Sequence, residues 1–69
     1  MDYFYYLCKN LKELRDQYNY TQKKVAKELG ITYQSYQAYE NGKAIPSLAH
    51  YIALADLYDV TMDELIGRK

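Results

Sequence analysis

One cysteine, one proline, one histidine, one phenylalanine, three glycines and no tryptophan put several kinds of protein out of reach. The lone thiol of Cys8 cannot close an internal disulfide, so no disulfide framework is expected and a reducing compartment suits the chain. His50 and Cys8 lack the clustered partners that a metal ion needs, and neither a metal nor another cofactor is expected. No nucleophile stands beside a general base and no glycine-rich phosphate loop is present, so nothing points to an enzyme or to catalytic residues. Long apolar runs are missing too. Tyr3-Phe4-Tyr5-Tyr6-Leu7-Cys8 is too short to cross a bilayer and follows Asp2 rather than a basic stretch, which predicts no membrane partner and a cytoplasmic location.

An excess of either charge is also lacking, since nine Lys and Arg balance nine Asp and Glu. The distribution is uneven. Residues 1–45 carry seven basic and five acidic groups, and residues 46–69 carry two basic and four acidic ones. Such a dipolar molecule can turn a basic face to a polyanion, with low nonspecific affinity. The 69 residues make one domain, 1–69, whose core supplies only about 3–5 kcal/mol.

Hydrophobic spacing predicts five helices and no strands, an all-α fold. The first covers residues 3 to 18, with Leu7, Leu11, Leu14 and Tyr18 in one apolar stripe and Asp2 as N-cap. The second follows Thr21 and turns Val25, Ala26 and Leu29 inward and Lys23, Lys24 and Lys27 outward. Gly30 suits the left-handed residue that ends a helix. The third runs from Tyr33 to Glu40 after Thr32 and stops at Asn41-Gly42. Ser47 opens the fourth, near 48–58, with Leu48, Tyr51, Ile52, Leu54, Ala55 and Tyr58 as its apolar positions. Thr61-Met62-Asp63-Glu64 has the pattern of a capping box and begins a short fifth helix.

Ordered short motifs accompany these helices. They are Leu11-Lys12-Glu13-Leu14-Arg15, Thr21-Gln22 with Ala26, Gly30-Ile31-Thr32, Tyr39-Glu40-Asn41-Gly42-Lys43, Pro46-Ser47-Leu48, Leu54-Ala55, Val60-Thr61 and Asp63-Glu64-Leu65. In this order residues 11 to 67 resemble the helix-turn-helix domains of the lambda repressor and Cro family, also called the XRE family. The resemblance implies a five-helix fold with its helix-turn-helix in helices 2 and 3, about residues 21–40. It also implies double-stranded DNA as ligand and, by family habit, a two-fold homodimer. Arg15 and Glu40 match a pair that in the family ties the first helix to the end of the third by an ion pair. Residues 1–10, the aromatic start of helix 1, match no pattern, and Tyr36 and Tyr58 stand where the family more often has branched aliphatic residues.

At about 100° per residue, Tyr33, Gln34, Gln37 and Ala38 share one face of the third helix, while Ser35, Tyr36 and Tyr39 share the other. The second set should pack inward. The first is free to enter a major groove, where a glutamine amide can pair with adenine and no Arg or Lys is present to grip guanine. An operator leaning to A and T is expected. Phosphate contacts are expected from Gln22 and Lys23 at the start of helix 2, from Thr32, and from Asn41, Gly42 and Lys43 after helix 3.

Ten tyrosines are unusual for this length. Most should be core or half-buried with the hydroxyl on water or a partner, yet Tyr3, Phe4, Tyr5 and Tyr6 point in too many directions to share one small core. Met62, Leu65 and Ile66 crowd a very short helix and are the expected dimer surface. The expected function is a transcriptional repressor of the chromosomal or prophage type. The alternative is an antitoxin-type module, whose ligand is a toxin or antirepressor protein and whose DNA binding is autoregulatory.

Overall fold

The computed structural model describes residues 2–68, and its regular structure is all helical. The order is α1 (Tyr3–Gln17), α2 (Gln22–Leu29), α3 (Tyr33–Glu40), α4 (Leu48–Leu57) and α5 (Met62–Leu65). Four of the five are shorter than a peptide helix that survives alone in water, so caps and packing must hold them. Every one opens on a side-chain oxygen that accepts a backbone N–H three residues on, from Asp2, Thr21, Thr32, Ser47 and Thr61. Such a cap contributes about 1 kcal/mol. In α5 the reciprocal bond is present as well, with Thr61 N–H donating to Glu64 Oε1 at 3.0 Å. Left-handed residues close all five helices: Gly30 directly, and Asn19, Gly42, Asp59 and Gly67 one residue beyond the C-caps Tyr18, Asn41, Tyr58 and Ile66. Asn and Asp tolerate that conformation better than other side-chain residues.

The core is built from Leu7 and Leu11 of α1, Val25 and Ala26 of α2, Tyr36 and Tyr39 of α3, Leu54, Ala55 and Tyr58 at α4, and Leu65. Two whole tyrosines, Tyr36 and Tyr58, lie at its centre. Neighbouring rings make room by edge contacts: Tyr18 stands T-shaped to Tyr58 at 5.3 Å, and Tyr36 to Tyr39 at 6.4 Å. The Tyr18 hydroxyl donates to Tyr58 O at 2.8 Å. Contrary to the expectation for buried tyrosines, the hydroxyls of Tyr36 and Tyr58 have no well-formed hydrogen bond.

Packing departs from the expectation at α5. Leu65, expected at a dimer surface, is 0% exposed, and Met62 and Ile66 are half-buried against the core. The cause is docking on α1, where Asn10 Nδ2 donates to Leu65 O at 2.9 Å and holds the single turn of α5 inward. Leu48 and Ile52, two of the apolar positions of α4, are 67% and 42% exposed. Helix α4 is apolar around most of its circumference, more than one core-facing stripe can absorb. The N-terminal aromatics divide: Phe4 and Tyr6 are half-buried, while Tyr3 and Tyr5 face solvent. A Cβ at Gly42 would stand 3.8 Å from the Phe4 ring, and one at Gly67 3.3 Å from Tyr6, so the two inward rings cover these loop glycines.

Candidate functional site

Helices α2 and α3 are joined by a turn that the backbone itself fastens. Gly30 is left-handed at φ 70°, and Ile31 N–H reaches back to Ala26 O at 3.0 Å. This turn directs one side of α3, Tyr36, Tyr39 and Glu40, into the core. Gln34 is exposed on the other side, with Tyr33, Gln37 and Ala38 half-buried along its edges. Ser35 was expected to pack inward and does not. It is exposed, its N–H donating to Thr32 Oγ1 at 3.1 Å and its Oγ accepting from the Thr32 hydroxyl at 2.9 Å. Position in the first turn, where the cap claims it, outweighs helical angle.

At the opposite end of α3, Glu40 is 1% exposed and fully engaged. Arg15 Nε donates to Oε2 at 2.8 Å, and Arg15 Nη2 and Gln22 Nε2 donate to Oε1 at 3.3 and 3.1 Å. Arg15 Nη1 also donates to Tyr20 O at 3.1 Å, so one guanidinium ties α1, the following loop and α3 together. Burial alone would raise the Glu40 carboxyl. The bonds from Arg15 and Gln22, with the Tyr36 hydroxyl alongside, more than offset this and hold it below the usual carboxylate range. The same carboxylate holds Arg15 protonated above its ordinary value, chiefly by hydrogen bonding. Burial pushes the Tyr36 hydroxyl far up and that of Tyr58 to about 12, so both stay neutral.

From Glu40 a polar chain runs out to the exposed face. Gln22 Oε1 accepts from Gln37 Nε2 at 3.5 Å, and the same nitrogen donates to the Tyr33 hydroxyl at 2.9 Å. Lys23 Nζ lies 5.7 Å from the centre of the Tyr33 ring, a cation–π distance. Arg15, Tyr20, Thr21, Gln22, Lys23 and Tyr33 line a shallow groove of ≈430 Å³ beside this chain. The side chain of Gln22 therefore faces its own protein, whereas the sequence placed it towards a phosphate. Its spacing from Glu40 carries no local signal.

Besides the exposed side chains, the site has free donors on the backbone. Thr21 occupies Lys24 N–H by its side chain and Val25 N–H by its carbonyl, leaving Gln22 and Lys23 N–H at the start of α2 without a helical partner. Thr32 does the same at α3, taking Ser35 and Tyr36 N–H and leaving those of Tyr33 and Gln34. After α3 two of the three N–H groups at Asn41, Gly42 and Lys43 are consumed: Asn41 N–H bonds to Gln37 O and Lys43 N–H to Ala38 O, both at 2.9 Å. Gly42, left-handed at φ 75°, is the residue of the three whose N–H has no partner among the described residues. The Asn41 and Lys43 side chains are exposed.

Among the described residues no group of three His, Cys, Asp or Glu side chains is placed to hold a metal ion. No helix among them is long and apolar enough to cross a membrane.

A family model described as helix-turn-helix matches residues 11–65. The chain is 46% identical over 59 residues to the HTH-type transcriptional regulator AnsR of Bacillus subtilis, covering 86% of this chain and 51% of that protein. It is 38% identical over 58 residues to RstR, the cryptic phage CTXphi transcriptional repressor of Vibrio cholerae, covering 84% and 52%. With ImmR, another HTH-type transcriptional regulator of Bacillus subtilis, it shares 37% over 62 residues, covering 90% and 49%. The chain thus spans about half the length of these curated relatives. No solved structure matches it.

Proposed function

The chain belongs to the helix-turn-helix family, and from that premise we propose that it is a sequence-specific double-stranded DNA-binding regulator, a repressor acting as a homodimer on a pseudo-palindromic operator. The observation that carries this reading is the division of α3. One side is packed into the core by Tyr36, Tyr39 and Glu40, and the other leaves Gln34 exposed, with Tyr33, Gln37 and Ala38 half-buried outside that core. Gln34 has no side-chain bond among the described residues, and its amide is free to pair with adenine N6 and N7.

Phosphates are met at the rim. The open N–H groups of Gln22 and Lys23 lie at the positive end of α2, those of Tyr33 and Gln34 just after Thr32, and that of Gly42 between the Asn41 and Lys43 side chains. In this reading Gln22 and Thr32 contribute through backbone and position, because their side chains are engaged by Glu40 and Ser35.

Two copies are needed to read two half-sites. The molecule is 29 Å in its longest dimension, and successive major grooves on one face of DNA lie about 34–36 Å apart. With Leu65 withdrawn into the core, the dimer contact falls to the exposed apolar residues Ile45, Leu48 and Ile52. These uncovered apolar side chains also favour the second reading, a module whose main ligand is a protein, since apolar surface left exposed can serve as a binding surface.

Selection of the purified protein on randomised duplex DNA, followed by binding at two salt concentrations, tests the proposal. Enrichment of a two-fold-symmetric, A/T-leaning motif whose preference is lost in Gln34→Ala supports it. Binding without enrichment, collapsing with salt, rejects it and moves the protein-partner reading to first place.

A further inference from the structure

Glutamine is ambivalent in hydrogen bonding, with a donor end and an acceptor end that can be exchanged by rotating the amide. On α3 that freedom is removed from one end. A carboxylate only accepts, so the bond between Glu40 Oε1 and Gln22, 3.1 Å long, must come from the Gln22 NH2. That turns Gln22 Oε1 towards Gln37, 3.5 Å away. The bond is long, but the rotated Gln37 would set oxygen against oxygen there, so the Gln37 NH2 faces inward. Its second proton goes to the Tyr33 hydroxyl at 2.9 Å, which therefore accepts and has its own proton free. Lys23 over the Tyr33 ring limits the swing of that ring.

We propose that Gln22 is a positioning residue that sets the donor–acceptor polarity of the reading face, so that Gln37 offers its carbonyl oxygen and Tyr33 its hydroxyl proton to one adenine. Both Gln37 N–H protons are spent inside the protein, and this side chain does not make the two-bond adenine contact of a free glutamine. The pair makes it jointly. In the major groove adenine presents an N7 acceptor beside an N6 amino donor; guanine presents two acceptors, cytosine a lone donor, and thymine an acceptor beside a methyl group. Gln37 oxygen accepting from N6 and Tyr33 hydroxyl donating to N7 fit adenine and no other base edge. Rejection of guanine comes from the oxygen of Gln37 meeting O6. The inference rests on the base-reading function proposed above and names how that site discriminates.

The test uses the operator obtained by selection and the base pair whose preference disappears in Gln37→Ala. Binding of the whole chain is measured to operators carrying adenine, each other base, 7-deazaadenine (no N7) or purine (no N6 amino group) at that position. Wild-type protein is expected to prefer adenine by about tenfold or more and to lose that margin with either analogue. Tyr33→Phe should become indifferent to 7-deazaadenine, and Gln22→Ala should bring all bases within about twofold of each other while retaining binding. Loss of the same factor from every operator in Gln22→Ala overturns the proposal and leaves Gln22 a phosphate contact. Wild-type protein that treats all sequences alike overturns the base-reading function itself, a separate result. If Gln22→Ala melts early, the free protein supplies the answer: the Gln37 side-chain amide signals in a nitrogen-edited NMR spectrum should move in Tyr33→Phe, and unmoved signals overturn the relay.

Discussion

Arg15 grips Glu40 side-on, with Nε 2.8 Å from Oε2 and Nη2 3.3 Å from Oε1, and so clamps α1 to the C-terminal end of α3. The geometry is that of a guanidinium fork on a carboxylate, which a lysine cannot copy. Because Glu40 is 1% exposed, removing Arg15 strands a buried charge with Gln22 as its remaining donor. Breaking such a pair costs about 3–5 kcal/mol, as much as a core of this size supplies.

Arg15→Ala is therefore expected to be largely unfolded at 25 °C, and Arg15→Lys to melt between it and the wild type. Far-UV circular dichroism against temperature reads this directly. An Arg15→Ala midpoint equal to that of the wild type would show that the pair contributes nothing to the fold.

Acid should unfold the protein through the same pair. The Glu40 carboxyl ionises below its ordinary value of 4.5 in the fold, because the bonds from Arg15 and Gln22 outweigh the burial that would raise it. A depressed folded pKa means stability that is complete above the unfolded value and lost as pH falls through the folded one. The melting midpoint is thus expected to hold from neutral pH to about 5 and to drop below about 4.5. In Glu40→Gln the drop should be much shallower from a lower starting midpoint. Glu64, also held low by its bonds to Thr61 but fully exposed, leaves a small residual slope. Parallel pH profiles for the two proteins would contradict the assignment.

Tyr58→Phe should stabilise the protein. The Tyr58 hydroxyl is buried without a regular hydrogen bond, a state that costs about 1–3 kcal/mol for the polar group left unpaired. Phenylalanine keeps the ring against Tyr18 and Tyr20. A gain of about 1 kcal/mol raises the midpoint by roughly 4–8 °C in a domain of this length. Calorimetry showing a lower midpoint would mean that the hydroxyl is satisfied after all, with Tyr36 or Glu40 as the partner.

What could be read in advance was local. Each N-cap acts within three residues, so Asp2, Thr21, Thr32, Ser47 and Thr61 marked the helix starts correctly from the sequence. The Arg15–Glu40 contact crosses 25 positions and was legible through the family resemblance rather than through spacing. Other contacts at long range had no such guide. A glutamine at a helix start looks the same whether its amide will meet a phosphate or the buried carboxylate of Glu40. Nothing local announces that the N–H groups of Asn41 and Lys43 bond to Gln37 and Ala38 and leave that of Gly42 open. Apolar α4 and α5 gave no clue to which leucines would be covered, because that depends on how α4 docks on α2 and α5, and α5 on α1.

Two leucines now separate folding from self-association. Leu65 is fully buried, with Asn10 bound to its carbonyl, so Leu65→Ala should cost about 2–5 kcal/mol and unfold the chain whether or not a dimer exists. Leu48 is 67% exposed, one helical turn before the exposed Ile52 on α4, and Leu48→Glu should leave the melting curve of a dilute sample nearly unchanged. If this patch joins two copies, the two-fold axis sets each Leu48 near its counterpart region, and a carboxylate on each side disfavours the contact twice. Analytical ultracentrifugation across the micromolar range is then expected to show wild-type association that Leu48→Glu removes, with weaker binding to a full operator and unaltered binding to a single half-site. Association that survives Leu48→Glu would move the dimer contact to another face, and the exposed rings of Tyr3 and Tyr5 would be the next to substitute.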